Sequence, residues 1–111
     1  MNDILQVQTT TDQQQAALNI AQDLVRNHLA ACVQIGGPIT SVYRWQGNVE
    51  TASEWTCTIK TTADLYPAVE QRIRQLHTYE EPEIIAVEIA RASPSYVTWL
   101  MSQLSAPKSN S

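Results

Sequence analysis

The feature that most limits the fold is the patterned stretch from Ile39 to Thr61. Odd positions Val49, Trp55, Cys57 and Ile59 are apolar, and even positions Glu50, Glu54, Thr56, Thr58 and Lys60 are polar. A period of two belongs to a strand with one buried face. Just upstream, Ile39 to Trp45 also reads as extended, and Gln46-Gly47-Asn48 supplies a turn with glycine where a positive φ is needed. Together they predict a long antiparallel hairpin. A three-residue turn would pair Trp45 with Val49, Tyr43 with Thr51 and Ile39 with Trp55, which gathers the large apolar side chains on one face. Gly36-Gly37-Pro38 interrupts the first arm. Proline cannot donate to a ladder, so a bulge, bend or edge is expected there.

The flanking segments complete the pattern. Ile4 to Thr9 reads as a strand and Cys32 to Ile35 as the start of the hairpin's first arm. Thr11 with Gln14 fits a capping box, opening a helix to about Ala31. Its apolar stripe comprises Ala17, Leu18, Ala21, Leu24, Val25, His28 and Leu29. Thr62 or Asp64 is expected to cap a second helix, with Pro67 in its first turn and Leu65, Val69, Ile73 and Leu76 buried. HTYEEP ends that helix, and Ile84 to Ile89 follows as a strand buried on at least one face. Ser93-Pro94 opens a third helix with Tyr96, Val97, Leu100, Met101 and Leu104 facing inward. The order is βαββαβ plus a helix, an α+β class of ferredoxin-like type. Unpaired edges on so long a hairpin point to an oligomer with strand contacts between subunits.

Bulk properties narrow the partners. The chain has 111 residues, which suits one domain over residues 1–104, with SAPKSNS at 105–111 as a disordered tail. A net charge of -4 disfavours nucleic acid and anionic membranes. The start MNDILQVQTT lacks the basic, then apolar, pattern of a secretory leader, and no apolar run is long enough to span a bilayer. Two cysteines in such a chain read as reduced thiols, so a cytoplasmic location is expected.

Five strings, HLAACVQI, SVYRWQGNVE, EWTCTIKTT, HTYEEPEIIAV and YVTWL, occur in that order between Thr9 and Leu104. Together they resemble the CutA family, the divalent-cation tolerance proteins. The resemblance implies a homotrimer of ferredoxin-like subunits, similar in architecture to PII-type signalling proteins. It implies no established catalytic activity, and a link to tolerance of copper or another divalent metal ion. Where the family often has His-Pro-Tyr, this chain has His77-Thr78-Tyr79, which frees the loop slightly.

Candidate ligands follow, each beside a plainer role. In the expected register Cys57 lies across from about Gly37 and Cys32 from about Thr62, too far apart for a disulfide. A buried inert thiol is the plain role of each. Cys32 matches the family string and is the better metal candidate, since a thiolate suits copper(I). His77 ends a helix, where it either caps or binds a metal. His28 is expected to pack on the apolar stripe. Glu80, Glu81 and Glu83 lack the spacing of known metal motifs and read as solvated. Tyr43, Trp45, Lys60 and Tyr79 are candidates for a ligand cleft between subunits, where a cation and aromatics would take an anion or small molecule. That reading, by analogy with PII-type trimers, makes the chain a signalling module with a protein partner. For an enzyme, the chain offers neither a glycine-rich phosphate cradle with nearby arginine and asparagine nor a nucleophile with an evident base.

Overall fold

In a computed structural model that describes residues 3–105, the chain runs β1 (Ile4–Thr11), α1 (Gln14–Arg26), β2 (Cys32–Trp45), β3 (Asn48–Thr62), α2 (Tyr66–Leu76), β4 (Ile85–Glu88) and α3 (Pro94–Gln103). One sheet takes the order β2-β3-β1-β4, with every neighbouring pair antiparallel. This is the split βαβ arrangement expected from the element order.

The pleat sorts side chains to two faces. Val7 pairs with Ile59 and Thr9 with Cys57, and all are buried. They meet Ala17, Ile20 and Leu24 of α1 and Val69 and Ile73 of α2 in one core. The stripe of α1 is turned slightly from the expected one: Ile20 is buried, while Leu18 and Val25 stay exposed. On the other face lie Ile4, Gln6, Gln8 and Thr10. There α3 covers the base of the sheet, packing Leu100 against Ile4 and Ala31 with help from Val97 and Leu104. Ser93 caps α3, its Oγ accepting from the Tyr96 N–H at 3.4 Å. Tyr96 and Met101, expected inward, remain exposed.

Helix ends depart from the sequence reading. No capping box forms: Gln13 is the N-cap of α1, and the Thr11 hydroxyl instead donates to the Gln13 carbonyl at 2.8 Å. Leu65 begins α2, so neither Thr62 nor Asp64 caps it, and Pro67 sits in the first turn as expected. Helix α1 stops at Arg26 rather than near Ala31 because His28 turns left-handed, φ 58°. The N–H groups of Leu29 and Ala30 then bend back to the Leu24 carbonyl. His28 is therefore exposed and off the stripe. Its Nδ1 lies 3.0 Å from the Gln103 carbonyl, and its own carbonyl accepts from Ser105 N–H at 2.9 Å. The remainder of the expected tail, residues 106–111, lies outside the described residues.

The hairpin register is also corrected. The turn has two residues, Gln46 and Gly47, both at positive φ (51° and 84°), which matches the twist of the flanking strands. Trp45 therefore pairs with Asn48, Tyr43 with Glu50 and Ile39 with Glu54. The large apolar groups divide between faces: Ile39, Tyr43 and Trp45 on one, Val42 and Val49 on the other. At the bulge, Gly37 and Pro38 together oppose Trp55. Gly37 has φ 142°, and a Cβ there would sit 2.8 Å from the Trp55 ring. Strand β1 reaches only Trp55, so the ribbon beyond the bulge has no third strand. The molecule is accordingly elongated, 48 × 31 × 24 Å, with a radius of gyration of 14.9 Å against about 13 Å for a compact chain of this length.

Strand β4 is shorter than expected and not buried. Ile85 and Val87 are more than half exposed, because β4 sits at the sheet edge where α3 does not reach.

Candidate functional site

A cleft of about 780 Å³ opens on the face of the sheet opposite α1 and α2. Its position follows from the register. Residues 39, 41, 43 and 45 alternate onto the same face as Glu54, and that face continues through Thr10 and Gln8. The loop after α2 crosses in front. One wall is therefore the hairpin, with Ile39, Tyr43 and Trp45, and the other is the loop, with Tyr79 and Glu80.

His77 anchors that loop. It is the C-cap of α2, and its N–H donates to the Ile73 carbonyl at 2.8 Å. Its Nδ1 accepts from the Tyr79 N–H at 3.0 Å, so Nε2 carries the proton and donates to the Thr10 carbonyl at 2.7 Å. Thr78 Oγ1 adds a bond to Asp12 Oδ1 at 3.1 Å, a tether that a proline at this position could not make. Pro82 is buried and directs the chain into β4, and Gln8 Nε2 holds Glu83 Oε2 at 2.9 Å.

The loop thereby delivers Tyr79 to Glu54. The hydroxyl donates to Glu54 Oε2 at 2.7 Å, and Glu54 is only 6% exposed. Burial pushes the Tyr79 hydroxyl far above the ordinary phenol range, and the neighbouring carboxylate pushes it further. Tyr79 is thus held as a donor.

Among the candidate cleft residues, Tyr43, Trp45 and Tyr79 come together here. Lys60 does not line the cleft. It lies lower on the same face, opposite Cys32, and donates to Gln34 Oε1 at 3.1 Å. Glu54 was hidden by its own pattern, as one polar position among many in an alternating strand. Its signal was the bulge beside it, which marks where the ribbon leaves the sheet. Nothing in sequence spacing joins it to Tyr79.

The thiols are separate. Cys32 pairs with Lys60, and Cys57 with Ile35. They lie three residues apart along the ribbon, about 10 Å, and on opposite faces. The separation is shorter than the expected register implied, yet still beyond a disulfide, and both are free. Cys57 is fully buried, donates to the Ala17 carbonyl and is pushed up to about 11 by burial. Cys32 is partly exposed, with Sγ 3.7 Å from the Tyr96 hydroxyl. That contact, then burial, raises the Tyr96 hydroxyl above its ordinary value. His77 reaches β1 at Thr10, opposite Thr56, whereas Cys32 lies opposite Lys60. That is four residues along β3, about 13 Å, so the two do not share one ion within a chain. Among the described residues, no three His, Cys, Asp or Glu side chains gather closely enough to hold a metal ion.

Comparison with known proteins decides the family. The model of the CutA1 divalent ion tolerance protein family matches residues 5–103. The chain belongs to that family. A divalent-cation tolerance protein CutA of Thermus thermophilus is 42% identical over 91 residues, 82% of this chain and 88% of the relative. The mouse protein CutA is 38% identical, but there the chain spans about half of the relative's length, 51%. The crystal structure of CutA1 from Shewanella superposes with a TM-score of 0.91 at 36% identity, covering 95% of this chain and 98% of that one. The family is one of divalent-cation tolerance, so its name connects the chain with metal ions.

Proposed function

We propose that the protein serves divalent-metal tolerance by binding rather than catalysis, as a homotrimer in the cytoplasm, with copper as its metal. The observation that carries the metal reading is Cys32, a partly exposed free thiol in a chain of this family. Copper(I) favours soft sulfur donors. His77 would join a site only by surrendering one of the bonds that hold the cleft loop. Cys32 by itself cannot complete a coordination sphere, so the ion would be shared with other subunits. The bare edge of β4 and the unpaired ribbon tip support assembly, since such edges invite another chain. Free thiols fit a reducing compartment. Among the described residues no helix is long and apolar enough to cross a membrane.

Anaerobic calorimetric titration of the reduced protein with copper(I) tests this reading, beside sedimentation for the trimer. Cys32→Ser should abolish binding, and His77→Ala should leave it. Equal binding by Cys32→Ser and the parent would refute the site.

A second reading has its own observation. The aromatic cleft at Tyr43, Trp45 and Tyr79 favours a PII-like module that takes a small ligand and reports to a protein partner. Ligand binding to the native state raises the melting temperature. A thermal-shift screen that moves only with copper would count against this second reading.

A further inference from the structure

Two backbone groups dictate which form of the His77 ring fits. Nε2 needs a proton to reach the Thr10 carbonyl, and Nδ1 must be bare to accept from the Tyr79 N–H. Only the neutral ring with its proton on Nε2 meets both demands. An imidazolium carries a proton on each nitrogen, so its Nδ1–H would be driven against the Tyr79 N–H, one donor facing another. We propose that His77 is a pH-operated catch, which holds residues 78–83 against the sheet while neutral and releases them when protonated. This device needs neither metal nor ligand, so it stands apart from both functional readings.

What the catch holds is Tyr79. The His77 and Tyr79 ring centroids lie 4.9 Å apart, tilted by 46°, so the two side chains pack as one piece. At its far end Tyr79 donates to the buried Glu54, and no other hydrogen bond among the described residues reaches that carboxylate. Breaking the bond at the base of the loop therefore frees the donor at its tip. The flanking tethers, Thr78 to Asp12 and Gln8 to Glu83, join exposed groups that water solvates equally well.

The groups around the ring do not oppose its charging. Asp12 after β1, Glu80 in the loop and Glu54 on β3 are carboxylates, and Tyr43 on β2 stands beyond Tyr79. The one cation in the last turn of α2, Arg74, turns to Glu70, with Nε 3.6 Å from Oε2. Tyr79 itself stays protonated throughout, since burial and then Glu54 push its hydroxyl far above the phenol range.

Nuclear magnetic resonance of the full chain from pH 8 to pH 5, the window in which histidines change charge, tests this. The His77 ring signals report its protonation, and hydrogen exchange at the Tyr79 amide reports the catch. After correction for the intrinsic pH dependence, exchange at Tyr79 should quicken about tenfold or more along the same curve as the His77 ring. The Val69 amide, bonded to the Leu65 carbonyl in α2, should keep its protection. His77→Asn offers Oδ1 to the Tyr79 N–H and takes up no proton, so Tyr79 should stay protected to pH 5. His28→Gln and Glu54→Gln should leave the transition in place. Sedimentation at both ends of the range confirms that one assembly state is compared. A Tyr79 amide that stays protected while the His77 ring charges would overturn the proposal, as would a ring that remains neutral to pH 5. So would a transition that persists in His77→Asn, or one that disappears with His28→Gln. The matching of the two curves in the parent decides alone should His77→Asn fold poorly.

Discussion

The two ends of the β2–β3 ribbon are made of similar residues and live in different surroundings. At the root, Ile59 and Cys57 are fully buried beneath α1 and α2. At the tip, Val42 and Val49 are about two-thirds exposed, on a ribbon with neither helix nor third strand beside it. The bulge at Gly37 and Pro38 divides them. Alternation therefore reports that a segment is extended, but not which face the chain itself will cover. The root spends its apolar face on folding, and the tip leaves Val42 and Val49 uncovered for another chain.

The largest expected effect contrasts the two ends directly. Ile59→Ala should destabilise by about 2–5 kcal/mol in chemical denaturation, the usual range for an emptied core site. Val49→Ala should change stability by under about 0.5 kcal/mol at protein concentrations where the chain is a monomer. A loss at Val49 that grows with protein concentration would instead mean that another copy buries the tip.

The divide comes next. Gly37→Ala places a methyl group 2.8 Å from the Trp55 ring and 3.0 Å from the Glu54 carbonyl, at a φ that side chains rarely adopt. A cost of about 1–3 kcal/mol is expected from such strain. Because Glu54 lines the cleft, ligand affinity should fall as well. A variant as stable as the parent would show that the ribbon can slide past its bulge.

The thiols give a smaller, sharper contrast. In the native protein at pH 8 a maleimide should label Cys32 and spare Cys57. Burial raises Cys57 above its unfolded value, so its contribution to stability is present below that value. It is lost as pH rises from the ordinary thiol range near ~8.5 through about 11. Denaturation of the parent and Cys57→Ala across that window should converge as the pH climbs. Parallel curves would contradict the shift.

The smallest effect sits at the root. Thr9 Oγ1 is buried without a hydrogen-bond partner among the described residues. Thr9→Val keeps the shape and removes the orphan, so it should be neutral or stabilising by about 1 kcal/mol. A clear loss would point to a buried water at that hydroxyl.

These contrasts also explain what could be read in advance. The element order, the hairpin and the bulge followed from periodicity and from glycine and proline, because those are local properties. The register did not. Gathering Trp45, Val49, Ile39 and Trp55 on one face assumes that the chain buries its own hairpin tip. A type I′ turn at Gln46 and Gly47 set the pairing instead. His28 looked like a stripe residue because spacing cannot show a left-handed turn. Tyr43, Trp45 and Tyr79 stand in the family strings and fall on one cleft of the chain, whereas Lys60 lies lower on the same face, opposite Cys32. Glu54 escaped notice because its partner Tyr79 is distant in sequence and arrives only when His77 folds the loop back onto Thr10.

The clasp at His28 bears on how the molecule could be handled. Its carbonyl and ring engage Ser105 and Gln103, fastening the end of α3 to the exit of α1. Thr10 and the cleft lie toward the other end of α1, about 20 Å away for a helix of this length. A biotin or solid support attached beyond Ser105 would thus leave the molecule mouth-outward, with its cleft open to flow.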